Sequence, residues 1–229
     1  MINGPFIAGF DIAGEIISVG SEVTKFKVGD KVIAFSPSFA GSLGAKSGAF
    51  QLESVVPYDV VAPLPDSWTF VEGCVIPAAT GTAAAALFPK FNLGLDFPTV
   101  PAAKSNGKMV LVWGASSSVG AVGVLMLVQS GYEVLATCSP KNFDFVKSLG
   151  VSQVFDYNST SVIDDLVKVI KPKQENYAGA FVATQDHAQP LEAAKVAAQL
   201  DLKETPVVST SPRFVGEGLP VNVKASACA

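Results

Sequence analysis

The stretch of the 229 residues richest in chemical possibility is Met109-Val-Leu-Val-Trp-Gly114-Ala-Ser-Ser-Ser-Val-Gly120-Ala-Val-Gly123. An apolar run ends on a glycine, small residues follow, and a second apolar run begins. With the first run a strand and the second a helix, the turn between them is where a parallel α/β sheet binds a pyrophosphate. Small residues let the backbone approach the phosphates, and the helix start offers unpaired N–H groups at the positive end of its dipole. Ser116, Ser117 and Ser118 can cap the helix or donate hydroxyls to phosphate. Val119 opens the helix, and Gly120 lets it pack closely on the strand. The spacing departs from G-x-G-x-x-G, because a serine stands where the middle glycine would. Alone, the segment also fits a serine-capped helix with no ligand; the neighbouring elements decide between the two.

The next strand end bears on which nucleotide is bound. In an NAD binder a carboxylate about 20 residues further on takes the ribose 2′-hydroxyl. Nineteen residues after Gly120 stands Ser139, in Thr137-Cys-Ser-Pro-Lys141-Asn142, with no acid among them. A hydroxyl and an ammonium suit a 2′-phosphate, and so NADP(H). The alternative for Lys141 is a solvated residue at a helix start. A cation is unfavourable at that end of a helix, so its presence asks for another reason.

These residues need a scaffold, and the sequence supplies one. From Lys108 onward strands alternate with helices. Met109–Trp113, Glu133–Thr137, Gln153–Phe155, Ala178–Ala183 and Val207–Ser209 read as strands. Between them Val119–Gln129, Asn142–Leu149 (closed by Gly150), Ser161–Ile170 and Pro190–Gln199 read as helices. Such alternation means βαβ units and a parallel sheet, and nearly all-apolar strands mean a sheet covered on both faces. The expected fold class is α/β: a Rossmann-type doubly wound parallel sheet preceded by a partial all-β domain. In that first part, Gly14–Val19, Lys31–Phe35, Phe50–Val56 and Val60–Ala62 read as strands. Turns are expected at Gly20-Ser21, at Gly29-Asp30, from Gly41 to Gly48, and from Pro57 to Asp59. Thr69–Phe88 is alanine-rich and can hold one or two helical segments around Pro77 and Gly81, and Phe91–Lys108 reads as a loop. The expected division is 1–64 and 65–229.

Composition narrows the function classes. Charged residues are 16%, apolar residues 49%, and the net charge is −4. A phosphate-backbone binder needs a basic surface, so nucleic acid is disfavoured. Mean hydropathy is +0.40, yet Cys74–Phe88 is broken by Pro77 and Gly81, and Val119–Val128 by Gly120 and Gly123. Neither offers the about 18 clean residues of a membrane span. Met1–Glu15 lacks a basic start and is interrupted by Asp11, unlike a signal peptide. Cys74, Cys138 and Cys228 cannot all pair with one another and form no CxxC ligand set, which fits a reducing, cytoplasmic compartment.

Three blocks together resemble a known family. They are Gly9-Phe-Asp-Ile-Ala-Gly14-Glu-Ile-Ile-Ser-Val-Gly20-Ser-Glu-Val-Thr-Lys-Phe-Lys-Val-Gly29-Asp30-Lys-Val, then Ala49-Phe-Gln-Leu-Glu-Ser-Val-Val-Pro, then the Gly114–Gly123 turn. Their order and spacing resemble the medium-chain dehydrogenase/reductase superfamily, nearest to its zinc-independent quinone-oxidoreductase and enoyl-reductase branch in fungal form. The resemblance implies a GroES-like catalytic domain on a Rossmann-type domain, with NADPH between them. It implies an oxidoreductase that reduces an activated C=C bond or a quinone, with an enone, enoyl thioester or quinone as small-molecule substrate. Zinc-dependent members carry Gly-His-Glu where this chain has Gly9-Phe10-Asp11, and phenylalanine cannot ligate zinc. A catalytic zinc usually needs three protein ligands, and the only histidine, His187, falls in the nucleotide half, where a surface loop is expected. No metal is therefore expected, and Asp11 is given a structural place at a turn. No catalytic acid is identified.

The resemblance also implies further cofactor contacts. Thr80-Gly81-Thr82 is similar to the segment whose threonine lies near the nicotinamide phosphate; helix packing of small residues explains it equally well. Tyr157 matches a tyrosine near the adenosine phosphate; a half-buried aromatic after a strand is the equal alternative. Thr184-Gln185 ends a strand beside the nicotinamide ribose, and Val208-Ser209 adds backbone contacts there. Family members extend further at both ends, so a truncated chain is expected, incomplete in its nucleotide half toward the C-terminus. The alternative function is a non-catalytic nucleotide-binding remnant or gene-model fragment. The family's dimer strand lies near Val221-Asn-Val-Lys-Ala-Ser-Ala, which makes a homodimer an expectation. Two rival chemistries fail on motifs. A short-chain dehydrogenase needs Tyr-x-x-x-Lys, but Ala62, Ala136, Ser161 and Phe181 follow the four tyrosines at that spacing. An α/β-hydrolase needs G-x-S-x-G, and Gly114-Ala-Ser116-Ser-Ser118 lacks the last glycine.

Overall fold

The computed structural model describes residues 7–36, 48–184, 188–211 and 219–228. The chain divides into two compact units, Met1–Gly81 and Thr82–Ala229.

In the first unit, β1 (Asp11–Glu15), β2 (Lys31–Phe35) and β3 (Val61–Pro63) form an antiparallel sheet in that order. Strand β2 alternates as a one-faced strand must: Val32 and Ala34 are buried, with Phe26 and Val61 beside them. The first strand lies earlier than the expected Gly14–Val19. Glu15 pairs with Lys31, and β2 offers no partner beyond it. The hairpin closes there, with the Ile16 N–H donating to Asp30 O at 3.0 Å and the Gly29 N–H to Ile16 O at 2.9 Å. The expected strand Phe50–Val56 is not one. Its polar groups turn back on Gly48 instead: the Gln51 side-chain amide and the Ser54 hydroxyl donate to Gly48 O at 2.6 and 2.9 Å. Of the expected Gly41–Gly48 turn, all but Gly48 lies outside the described residues.

The alanine-rich stretch is two helices, α1 (Phe70–Gly73) and α2 (Pro77–Leu87). Thr69 caps α1 in a reciprocal capping box with Glu72, which satisfies two end groups at once. Phe70–Leu87 as a whole reaches 18 residues at a mean hydropathy of 1.4, enough in length and composition for a membrane span. The break between Gly73 and Pro77 divides it, and Ala83, Ala86 and Leu87 are buried in the second unit's core.

The second unit is a six-stranded, all-parallel sheet. Its elements are β4 (Met109–Trp113), α3 (Ser118–Gln129), β5 (Glu133–Cys138), α4 (Phe143–Ser148), β6 (Gln153–Asp156) and α5 (Val162–Ile170). They continue with β7 (Tyr177–Val182), α6 (Gln189–Ala198), β8 (Thr205–Ser209) and β9 (Val223–Ala227). The strand order is β6-β5-β4-β7-β8-β9. Alternate residues of each strand serve opposite faces. Val110, Val112, Val134, Ala136 and Phe181 meet Val124 and Leu127 of α3. Met109, Leu111, Trp113, Leu135 and Val182 meet Leu166 and Ile170 of α5 and Ala193 and Val196 of α6. The sheet is thus doubly wound, as the continuous apolar strands required. Strand β9 lies in the segment near which the family resemblance places a strand, beyond those read from the residues alone. From β4 the chain winds outward to β6, returns to the centre with β7, and winds the other way. The reversal leaves a crevice at the carboxyl ends of β4 and β7.

Candidate nucleotide-binding site

Glycine at 114 is required twice over. Its φ is +81°, and a Cβ there would collide with Thr184 Cγ2 and approach Ala183 O at 3.1 Å. At Gly120 a Cβ would collide with Gly114 O and reach Ser117 Oγ at 2.9 Å. Helix α3 therefore begins pressed against the turn that precedes it. Ser117 is its N-cap: its Oγ accepts the Gly120 N–H at 2.9 Å and donates to Ala183 O at 3.0 Å. Its single proton is thus used inside the protein. Ser118 is exposed and Val119 half-buried. Among the described residues, the N–H groups of these two have no acceptor, as the first turn of a helix leaves them. They are the donors this turn offers to an anion.

Across the crevice, Thr184 follows β7. Among the described residues its Oγ1 is buried without a hydrogen-bond partner, a state that costs about 1–3 kcal/mol unless something fills it. Its carbonyl accepts the Thr210 hydroxyl at 3.2 Å, and the Thr210 N–H donates to Val182 O at 3.0 Å. Thr210 thereby straps the end of β8 to that of β7. Ser209 is buried at the last position of β8, its Oγ accepting from the Ser211 N–H at 3.0 Å. A buried hydroxyl with no partner, beside a glycine that admits no side chain, fits a dinucleotide laid across this edge.

On the other side, the expected helix from Asn142 begins instead with a 3-10 turn, Pro140–Asn142, before α4. Asn142 Nδ2 donates to Ser116 Oγ at 3.0 Å and to Ser139 Oγ at 3.2 Å. Lys141 is exposed, and none of the ion pairs among the described residues involves it. Burial, and then the charge of Asp156, push the thiol of Cys138 upward. Asp156 ends β6 and turns Oδ1 onto its own loop, accepting from the Asn158 N–H at 2.9 Å and Nδ2 at 3.1 Å. Tyr157 follows it, half-buried against the second core cluster.

Hydrogen bonds and close contacts therefore join Gly114, Ser116, Ser117, Gly120, Ser139, Asn142 and Thr184, and Ser118 and Val119 lie on the same turn. Lys141, Tyr157 and Ser209 sit at the carboxyl ends of β5, β6 and β8, along the same edge. Thr82 is half-buried on α2, with no hydrogen bond to this edge among the described residues. Gln185 and His187 lie outside the described residues. Sequence reasoning missed Asn142 and Thr210. The signal for Asn142 was present, since an amide between two serine-bearing turns can bridge them.

Within the first unit, Phe10 stacks on Phe35 at 5.9 Å between ring centroids. The Asp11 carboxylate accepts the Ala78 N–H at 2.7 Å. Asp11 thus belongs to β1 and caps the first turn of α2; it is not in a turn, as the sequence suggested. Among the described residues no group of three His, Cys, Asp or Glu could hold a metal, and the three cysteines are free.

The chain is similar to known proteins in sequence and in fold. Residues 1–66 match the alcohol dehydrogenase GroES-like domain. The dehydrogenase pigH of Monascus ruber is 42% identical over 186 residues, which cover 81% of this chain and 50% of that protein. The trans-enoyl reductase himH of Aspergillus japonicus is 46% identical over 168 residues, covering 73% and 48%. The chain belongs, in sequence and in fold, with the medium-chain dehydrogenase/reductases. Among solved structures of that fold, Bacillus subtilis yhfP with NAD bound superposes with a TM-score of 0.63 at 26% identity, over 99% of this chain and 65% of that one. This medium-chain dehydrogenase/reductase chain spans about half the length of the curated relatives it matches.

Proposed function

We propose that this chain serves an NADPH-dependent, zinc-independent reductase acting on an activated C=C bond or a quinone, with residues 65–229 as its nucleotide-binding domain and 1–64 as part of its catalytic domain. The observation that carries the reading is the Gly114–Gly120 turn at the crevice between β4 and β7, where Gly114 lies against Thr184 Cγ2 and, among the described residues, Thr184 Oγ1 is buried without a partner. The relatives named trans-enoyl reductases support the reaction class. When bound, the reduced nicotinamide supplies a hydride to the electrophilic carbon of a small enone, enoyl thioester or quinone. The protein's part is position and electrostatics. The Ser118 and Val119 N–H groups would hold the pyrophosphate. Ser116, Ser139 and Lys141 would take a 2′-phosphate, with Tyr157 beside the adenosine. Thr184 and Ser209 would border the nicotinamide end, and Thr82 its phosphate.

Phe10, stacked on Phe35 where a zinc histidine would stand, supports chemistry without metal; protein purified without a metal-affinity tag should carry no stoichiometric zinc by elemental analysis. Three free cysteines support a reducing, cytoplasmic setting. Strand β9 is an edge of the sheet, which supports a homodimer through edge pairing.

The deciding experiment is a fluorescence titration with NADPH and NADH, followed by NADPH oxidation with an enoyl thioester or a quinone. NADPH should bind tighter, and Lys141→Glu should weaken it by about 1–3 kcal/mol. Equal affinity for both nucleotides would refute the cofactor assignment. Tight NADPH binding without turnover by any of these substrates would favour the second reading, a nucleotide-binding chain that is not itself catalytic.

A further inference from the structure

The structure assigns to Asn142 a role as positioning residue: it holds Ser116 and Ser139 as a pair of outward-turned hydroxyl donors for a phosphate monoester. The inference rests on the reading of this edge as a dinucleotide site, and it concerns what makes the site prefer a phosphorylated ribose.

A serine hydroxyl has one proton to donate and lone pairs with which to accept. Asn142 Nδ2 has two protons, and the structure directs one to each serine oxygen, at 3.0 and 3.2 Å. Both oxygens therefore accept from the protein. Neither Ser116 Oγ nor Ser139 Oγ has another hydrogen-bond partner among the described residues, so both hydroxyl protons remain for a ligand. Two turns that carry no covalent link, one after β4 and one after β5, are thereby made into a single two-donor surface. Lys141, adjacent in sequence and exposed, adds a cation held by no ion pair among the described residues. Asp156, at the end of β6, accepts from Asn158 with Oδ1, and Asp144 stands in the first turn of α4. Donors plus a cation suit a phosphate dianion, for which charge-assisted bonds are the strong ones. A ribose hydroxyl, in contrast, would gain nothing from the charge.

The test compares nucleotide binding, not turnover, in the whole chain. NADPH, NADH and 2′,5′-ADP are titrated against the parent and three variants. Asn142→Leu keeps the volume but removes both donors; it should weaken NADPH and 2′,5′-ADP by about tenfold or more while leaving NADH within about twofold. Asn142→Asp replaces the donor with an acceptor that withdraws both serine protons; it should reverse the preference toward NADH. A double Ser116→Ala, Ser139→Ala variant should show the loss of Asn142→Leu, and adding Asn142→Leu to it should change little further. That double variant also serves as the test if Asn142→Leu does not fold. A role confined to holding the turn would lower NADPH and NADH affinity together, and an unchanged ratio would overturn the inference while the parent's preference for NADPH still stood. A parent with no such preference would instead bring down the functional reading, and this inference with it.

Discussion

Ser117 and Ala183 are joined by a hydrogen bond of 3.0 Å from the serine hydroxyl to the alanine carbonyl, although the two residues stand far apart in the chain. The same oxygen takes the Gly120 N–H, so one atom fixes both the start of α3 and the end of the β7 segment. Ser117→Ala should cost about 1–2 kcal/mol in chemical denaturation, in the range of a lost helix cap. The exposed neighbour is the control: Ser118→Ala should change stability by less than about 0.5 kcal/mol. Equal effects at the two serines would remove the distinction drawn between them.

Gly114→Ala is expected to fail in two ways. The positive φ strains any Cβ, and the Cβ would displace Thr184. Stability should fall by more than about 1 kcal/mol, and nucleotide binding should fall further than stability alone explains, because Thr184 borders the crevice. Differential scanning calorimetry with and without NADPH measures both quantities. A variant that melts like the parent and keeps its nucleotide shift would contradict the geometry.

Tyr177 begins β7 with its hydroxyl buried and, among the described residues, unpartnered, and burial raises its pKa well above the ordinary 10.0. The folded state therefore keeps the phenol neutral at a pH where the unfolded chain releases the proton. Its contribution is intact below pH 10 and is lost as the pH rises beyond it. Cys138 and Cys228, also raised by burial, act with the same sign from about pH 9. Tyr177→Phe should be neutral or stabilising by about 1 kcal/mol at pH 7, since it removes a polar group with no partner. It should also flatten the fall in stability above pH 10. Denaturant midpoints from pH 7 to 11 test both statements, and a destabilised Phe variant at pH 7 would show that the hydroxyl is satisfied in solution.

The two units should differ in local stability. Among the described residues the first rests on a cluster of four buried residues, Phe26, Val32, Ala34 and Val61, whereas the second buries both faces of β4, β5, β7 and β8. Local opening follows the amount of buried apolar contact. Amides of β1 to β3 should exchange with solvent much faster than those of β4, β5 and β7, and NADPH should slow exchange at the Gly114–Gly120 turn and around Thr184 but not in β1 to β3. Uniform protection across both units would sink this expectation.

The second unit was legible because its strands are apolar on both faces and its helices intervene at regular intervals. Met109–Trp113 reads as buried strand whatever its context. The first unit was less so. Phe50–Val56 has the composition of a strand, yet Phe50 and Leu52 are 79% and 104% exposed; composition cannot reveal that no strand among the described residues pairs with it. Strand β9, Val-Lys-Ala-Ser-Ala, has the opposite character: weak β propensity, but β8 beside it as a template for pairing. The phosphate-binding turn was visible from its glycines and serines. The division of labour among those serines was not, because whether a hydroxyl proton is spent on Ala183 or left for a ligand depends on residues brought in by topology.

The strand order also sets a timetable. β4, β5 and β6 are neighbours both in the chain and in the sheet, and can pair as soon as they leave the ribosome. The pairing of β4 with β7 must wait for a segment made much later, and long-range pairings of this kind form slowly. Until it forms, Ser117 has no Ala183 to grip and the crevice has only one wall. Nucleotide binding would then report the closing of the central pair of strands, so that a ligand added during refolding keeps time for that long-range step and not for the local pairings before it.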